Sequence, residues 1–181
     1  MQALDNAPEV AQAIKKVRQA RKYTTDQVPK DVVDELLEIA RWTGSSRNTQ
    51  PWHFIVIDDK EQLRKISQLR DPINWVADAP LAIAIVLNGD AEVSEAYDEG
   101  RVTERLMIGA HIFGFGGGVA WFGNESQQAQ AKEILSIPAE NTARSVVTVG
   151  QPATLKDHRP SPATPGRKPI SELVSHNRMS G

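Results

Sequence analysis

Ser45, Ser46, Arg47, Asn48, Thr49 and Gln50 stand in one unbroken run, followed by Pro51, Trp52, His53 and Phe54. Short hydroxyls and amides at this spacing offer donors and acceptors that suit the edge of a planar heteroaromatic molecule. The same residues also serve ordinary turns, whose backbone needs polar partners, and the residues alone leave both readings open. Pro51 fixes the backbone at the end of the run, and Trp52 anchors it to a core. Basic residues collect at Lys15, Lys16, Arg18, Arg21 and Lys22, and Arg167 with Lys168 forms a second basic pair. Each group could hold an anion or be solvated surface, the first set being favoured by the negative end of a helix. Gly114, Gly116, Gly117 and Gly118 let a backbone come close to something flat. A helix precedes them and a strand follows, the reverse of a dinucleotide-binding turn, and no Gly-Lys-Ser/Thr follows, so a phosphate loop is excluded.

Other chemistries are removed by what is missing. The chain has no cysteine, which excludes disulfides, thiolate nucleophiles and thiolate metal sites. His53, His111, His158 and His176 show no ligand spacing, so no metal is expected, and no Gly-x-Ser-x-Gly elbow marks a hydrolase. Redox chemistry would need a borrowed cofactor. Twenty-one basic and twenty-three acidic side chains leave a net charge of -2, which recommends neither nucleic acid nor any other polyanion as partner. No apolar run reaches the roughly 18 residues of a membrane span, and residues 1–16 resemble neither a signal nor a transit peptide, so a cytoplasmic location is expected.

These groups must be positioned by the elements between them. At 181 residues the expectation is a single domain over 1–181, with its core at about 8–150. Helical spacing of Val10, Ile14 and Val17 predicts a helix over 8–22, and Val33, Leu36, Leu37, Ile39 and Ala40 predict another over 30–42 with Gly44 as its stop. A strand is read at 53–57, a helix at 60–69, an irregular stretch at 71–79, and a strand buried on both faces at 81–87. Residues 93–113 form a long central helix, whose Asp98, Glu99 and Glu104 read as its solvated face. A strand at 119–122, a polar helix at 126–135 and a strand at 145–150 complete an α+β layered domain. Trp42, Trp75 and Trp121 read as packing residues, with Trp42 and Trp75 near loops that could wall a substrate pocket. From 151 to 181 the chain changes character: Pro152, Pro160, Pro162, Pro165 and Pro169 predict an extended arm ending in a short amphipathic stretch at 170–174.

The run SSRNTQPWHF resembles the Ser-Ser-x-Asn-x-Gln-Pro-Trp-x-Phe signature of nitroreductase-family flavoproteins, and residues 14–31 resemble the basic opening segment of that family. The resemblance implies a three-layer α+β sandwich with a central mixed, mostly antiparallel sheet. It implies bound FMN, NADH or NADPH as reductant, and ping-pong two-electron reduction of nitroaromatic, quinone or similar electron-poor acceptors, with no protein side chain as the catalytic group. The cofactor contacts it implies are Arg18, Gln19 and Arg21 in the basic segment and Ser45, Ser46, Asn48 and Gln50 in the polar run. Gly117, Gly118, Val119 and Ala120 would lie against the ring, and Arg167 and Lys168 near the phosphate. Val17 and Gln19 depart from the family pattern, which has arginine and serine there. Family resemblance further implies a homodimer with the flavin at its interface. A flavin reductase or dehalogenase-like enzyme of the same fold, or a non-catalytic flavin sensor, is the alternative.

Overall fold

The computed structural model describes residues 4–153 and 166–179. The readings placed on His158, Pro160, Pro162 and Pro165 lie outside the described residues.

The apolar run Leu81–Leu87 forms strand β2, and all seven of its residues are buried. Because side chains alternate across a strand, the run is divided between two cores. Leu81, Ile83, Ile85 and Leu87 pack with Leu36, Val102 and Leu106, whereas Ala82, Ala84 and Val86 pack with Leu63, Ile66, Ala131 and Leu135. Each fully buried Leu, Ile or Val is worth about 1.5–3 kcal/mol, so this strand binds two helical layers to one sheet. One layer holds α1 (Ala7–Lys16), α2 (Lys30–Arg41) and α4 (Glu92–Ile112); the other holds α3 (Lys60–Ser67), α5 (Glu125–Leu135) and 3-10 turns over Asp71–Asp78. The result is the expected three-layer α+β sandwich.

The sheet runs β1-β2-β4-β3, with β1 at Trp52–Ile57, β3 at Gly116–Trp121 and β4 at Thr142–Gly150. All three strand pairs are antiparallel, and the parallel component is one isolated bridge, Gln19 to Gly117. The strand partners of β2 leave it no edge, which is why its sequence needs no polar alternation.

The first helix stops earlier than its periodicity predicts. Val17 turns to extended geometry (φ -54, ψ 130), so Arg18, Gln19 and Arg21 lie beyond α1 rather than in it. These residues are competent helix formers, but β3 is an edge strand whose outward groups need partners. The Ala20 amide donates to the Gly117 carbonyl at 2.7 Å, and the Thr24 amide donates to Gln151 at 2.9 Å. Tyr23 is buried behind this segment, its hydroxyl 2.6 Å from Thr148 Oγ1 and donating to the Ala20 carbonyl at 2.8 Å. Burial holds that hydroxyl well above the ordinary tyrosine range, outweighing the Thr148 contact and nearby Arg21, so it stays neutral.

Other boundaries shift for local reasons. Helix α2 closes at Trp42, before Gly44, and Asp59 caps α3 by accepting from the Gln62 amide. The glycine run is part of β3, not its approach, and only Gly114 (φ 81) acts as a helix stop. What comes close to these glycines is the protein itself: a Cβ on Gly118 would lie 2.2 Å from the Ala20 carbonyl oxygen and 2.9 Å from Thr148 Oγ1. Trp121 is exposed over half its surface and carries the Arg70 guanidinium 5.1 Å from its ring, so it is not the packing residue expected. The stretch after Pro169 is a 3-10 turn, Ile170–Glu172, with Ile170, Leu173 and Val174 exposed.

Replacing Gly118 with alanine forces the residue 20 backbone away from β3, and overpacking of this kind costs about 1–3 kcal/mol. Urea unfolding of Gly118→Ala is expected to show that loss; a midpoint equal to that of the parent protein would contradict the close approach.

Candidate functional site

A cleft of about 680 Å³ opens where α1, β3, α4 and the C-terminal segment meet. Pockets for small ligands are of this size. From the end of α1 come Lys15 and Val17, followed by Arg18 and Gln19; α4 contributes Glu104 and Met107, β3 contributes Val119, and Arg167 enters from the tail. Arg18 is fastened at the helix end, its Nη1 donating to the carbonyls of Lys15 at 2.5 Å and Val17 at 2.7 Å. A guanidinium there satisfies carbonyls that the helix cannot and sits at the negative end of its dipole. The cleft thus gathers three cationic side chains, Lys15, Arg18 and Arg167, against one carboxylate, Glu104.

Backbone alternation decides which part of β3 faces this cleft. Gly117 and Val119 present their polar groups outward: Gly117 accepts from Ala20, and the Val119 amide donates to Gln19 Oε1 at 2.8 Å. Residues one step out of phase point toward β4, as the Phe122 amide shows by donating to Arg144 at 2.8 Å. Of the four β3 residues expected at a ring, Val119 lines the cleft; Gly118 is pressed between Ala20, Thr148 and Trp75, and the Ala120 side chain is fully buried. Arg21 lies with its guanidinium 5.9 Å from the Trp75 ring centre, beside the cleft rather than in its lining. Lys168 is exposed and is not part of the lining. Trp42 is also outside it: its indole donates to Glu38 Oε1 at 2.6 Å, and Arg41 lies 5.2 Å from its ring.

The polar run forms a tight loop elsewhere on α4. Ser46–Asn48 make a 3-10 turn, and Arg47, Asn48 and Gln50 have positive φ of 52, 57 and 48. For residues other than glycine this backbone costs about 1–2 kcal/mol each, so the loop needs fastening. The Ser45 hydroxyl supplies it by accepting from the Gln50 amide at 2.8 Å. The loop meets α4 at Asp98, whereas the cleft meets α4 at Glu104 and Met107, about 9 Å or more farther along the helix. Ser45, Ser46, Asn48 and Gln50 are therefore not brought into the cleft of their own chain.

Of the three acids of α4 expected on a solvated face, Glu104 is exposed, but Asp98 and Glu99 are buried, and so is Glu95. The buried acids continue, toward the N-terminus, the stripe that Val102, Leu106 and Gly109 present to the core. Extending that stripe by helical spacing would have found them. Each carboxylate has its own partner. Glu95 accepts from the amides of Gly89 and Asp90 at 3.0 and 3.1 Å. Glu99 accepts from Arg144 Nη1 at 3.1 Å and from Ser145 Oγ at 2.8 Å. An extra residue in β4 between Val146, opposite Ala84, and Ala143, opposite Val86, bends the strand where Arg144 and Ser145 meet Glu99. Burial raises the Glu99 carboxyl above the ordinary range, although Ser145 and Arg144 pull the other way.

The nitroreductase family model matches residues 14–82. A Methanothermobacter thermautotrophicus protein, provisionally named NADH dehydrogenase/NAD(P)H nitroreductase, is 31% identical over 151 residues, which span 80% of this chain and 78% of that protein. Among solved structures, an FMN-dependent nitroreductase from Clostridium difficile is 25% identical, with a TM-score of 0.79 over 92% of this chain and 98% of its own. A provisionally named nitroreductase from Desulfovibrio desulfuricans, solved in complex with FMN, is also 25% identical, with a TM-score of 0.79 over 94% and 98% of the two chains.

A raised carboxyl pKa favours the folded state when protonated, so the Glu99 contribution is fully present below the unfolded value near 4.5 and declines as pH rises through the higher folded value. Wild-type protein should accordingly lose stability relative to Glu99→Gln as pH is raised through that window. Paired urea melts across the range check this, and a difference that stays constant with pH would sink it.

Proposed function

The chain belongs to the nitroreductase family, and from that premise we propose that it is an FMN-dependent NAD(P)H oxidoreductase. The observation that carries the reading is the convergence of Lys15, Arg18 and Arg167 in one cleft beside the outward amide of Val119. Cations of this kind suit a phosphate monoester dianion, and a charge-assisted hydrogen bond is worth about 1.5–3 kcal/mol. The Val119 amide occupies Gln19 Oε1, which fixes the Gln19 side chain and leaves its Nε2 to donate to the edge of a heterocycle. The residues present therefore fit FMN. Bound there, FMN supplies ping-pong two-electron chemistry, passing electrons from NADH or NADPH to a nitroaromatic, quinone or similar electron-poor acceptor.

In this reading Arg18 and Arg167 hold the phosphate, with Lys168 next in the chain and Lys15 making good the cation that Val17 does not supply. Gln19, held in place by the Val119 amide, would meet the polar edge of the ring. Arg21, 5.9 Å from the Trp75 ring centre, would supply positive charge that favours the anionic form of the reduced ring. Gly117 and Gly118 let β3 lie close to Met107 and to residue 20, and Ala120 is buried in the core. Trp75 walls the acceptor pocket, with Trp42 at a greater distance.

Ser45, Ser46, Asn48 and Gln50 complete the site from a second subunit. Their separation from the cleft along α4 supports a homodimer, as do the exposed Ile14, Tyr97, Ile112, Ile170 and Leu173. No helix among the described residues is long and apolar enough to cross a membrane. The cytoplasm, where reduced nicotinamide cofactors are made available, is the compartment we infer.

Purified protein is expected to bind FMN, to lose its flavin absorption when NADH or NADPH is added, and to recover it with a quinone or nitroarene. The double variant Arg18→Ala, Arg167→Ala should raise the FMN dissociation constant by about 100-fold or more. Failure of added FMN to bind the wild-type protein would overturn the proposal, and a monomer by light scattering would remove its two-subunit form.

A further inference from the structure

Asp98 is buried on α4 with 3% of its surface exposed, yet it does no work in the cleft. Its carboxylate accepts from Arg101 Nη1 at 3.2 Å and from the backbone amide of Ser46 at 3.4 Å. Among the described residues, the other hydrogen bonds of residues 45–50 close within the loop: Asn48 and Thr49 amides to the carbonyls of Ser45 and Ser46, Thr49 Oγ1 to the Ser46 carbonyl, the Gln50 amide to Ser45 Oγ, and Gln50 Nε2 to the Asn48 carbonyl. The Ser46 bond is thus the one that ties these residues to the rest of the chain. Just before it Gly44 passes close to the Arg101 guanidinium, since a Cβ there would lie 2.9 Å from Nη2. Arg101 therefore serves twice, donating to Asp98 and standing against the loop entrance.

We propose that Asp98 is a positioning residue for the cofactor loop. It holds Ser46, through its backbone amide, in the geometry from which the left-handed residues Arg47, Asn48 and Gln50 present their polar groups. This rests on the reading of that loop as one wall of an FMN site. Asp98 acts through the loop and touches no cofactor. The neighbouring buried acids have other duties: Glu95 holds the amides of Gly89 and Asp90, and Glu99 holds Arg144 and Ser145. They are equally buried on the same helix without contact to the loop, which makes them internal controls.

The experiment is FMN titration by flavin fluorescence, with thermal melts in parallel, on full-length wild type, Asp98→Ala, Asp98→Asn and Glu95→Gln. Removing this acceptor should weaken FMN binding by about tenfold or more in Asp98→Ala. Asp98→Asn keeps an oxygen for the Ser46 amide and is expected to stay within about threefold of wild type, the size of one weak hydrogen bond. Glu95→Gln should lower the melting temperature and leave FMN affinity unchanged. Asp98→Ala that melts lower but binds FMN like wild type overturns the inference while leaving the proposed function standing. So does Glu95→Gln weakening FMN binding as much as Asp98→Ala, because the effect would then be general loss of packing. Wild type that binds no FMN removes the functional reading and this inference together.

Discussion

An edge strand presents backbone groups that its single neighbour cannot reach, and the outer edge of β3 is the constraint on which the rest of the site depends. The Ala20 amide and the Gln19 side chain satisfy Gly117 and Val119, and that draws residues 17–23 out of helical geometry. Once they are extended, Arg18 falls at the end of α1, Tyr23 reaches Thr148, and Arg21 lies over Trp75. The three glycines of β3 make the approach short enough for these bonds, since side chains at their positions would meet Ala20, Met107 or Thr148 within 3 Å. The cleft is thus a consequence of how one edge of a sheet is closed.

The second organising part is α4, which carries two kinds of residue on its buried face. Val102, Leu106 and Ala110 supply ordinary core packing beneath the sheet. Toward its N-terminus the same face carries Glu95, Asp98 and Glu99, each placed against groups that would otherwise lack partners. Burying carboxylates is costly unless they are hydrogen-bonded, and here each is. The helix therefore does more than fill volume: one end fastens loops, and the other contributes Glu104 and Met107 to the cleft.

Much of this was legible beforehand. The seven-residue apolar run of β2 could be read as doubly buried because nothing polar interrupts it, and its neighbours followed from turn residues and periodicity. Helix α1 was read too long because Arg18 to Lys22 are good helix formers, and local propensity carries no information about a distant edge strand. The acids of α4 were read as solvated because charge usually is, although their spacing continued the apolar stripe. Lys15 reads locally as part of a basic helix end, and nothing near it in the chain marks it as sharing a cleft with Arg167.

By itself the sequence determined the order of helices and strands in a layered α+β domain, the absence of thiol chemistry and the presence of a polar loop before β1, because these rest on composition, periodicity and short spacing. Tertiary structure alone decided that the loop and the cleft lie apart along α4, that Val119 rather than its neighbours faces outward, and that Asp98 holds Ser46. Those depend on strand phase and on contacts such as the Gln19 bond to Val119, far apart in the chain, which no local pattern encodes.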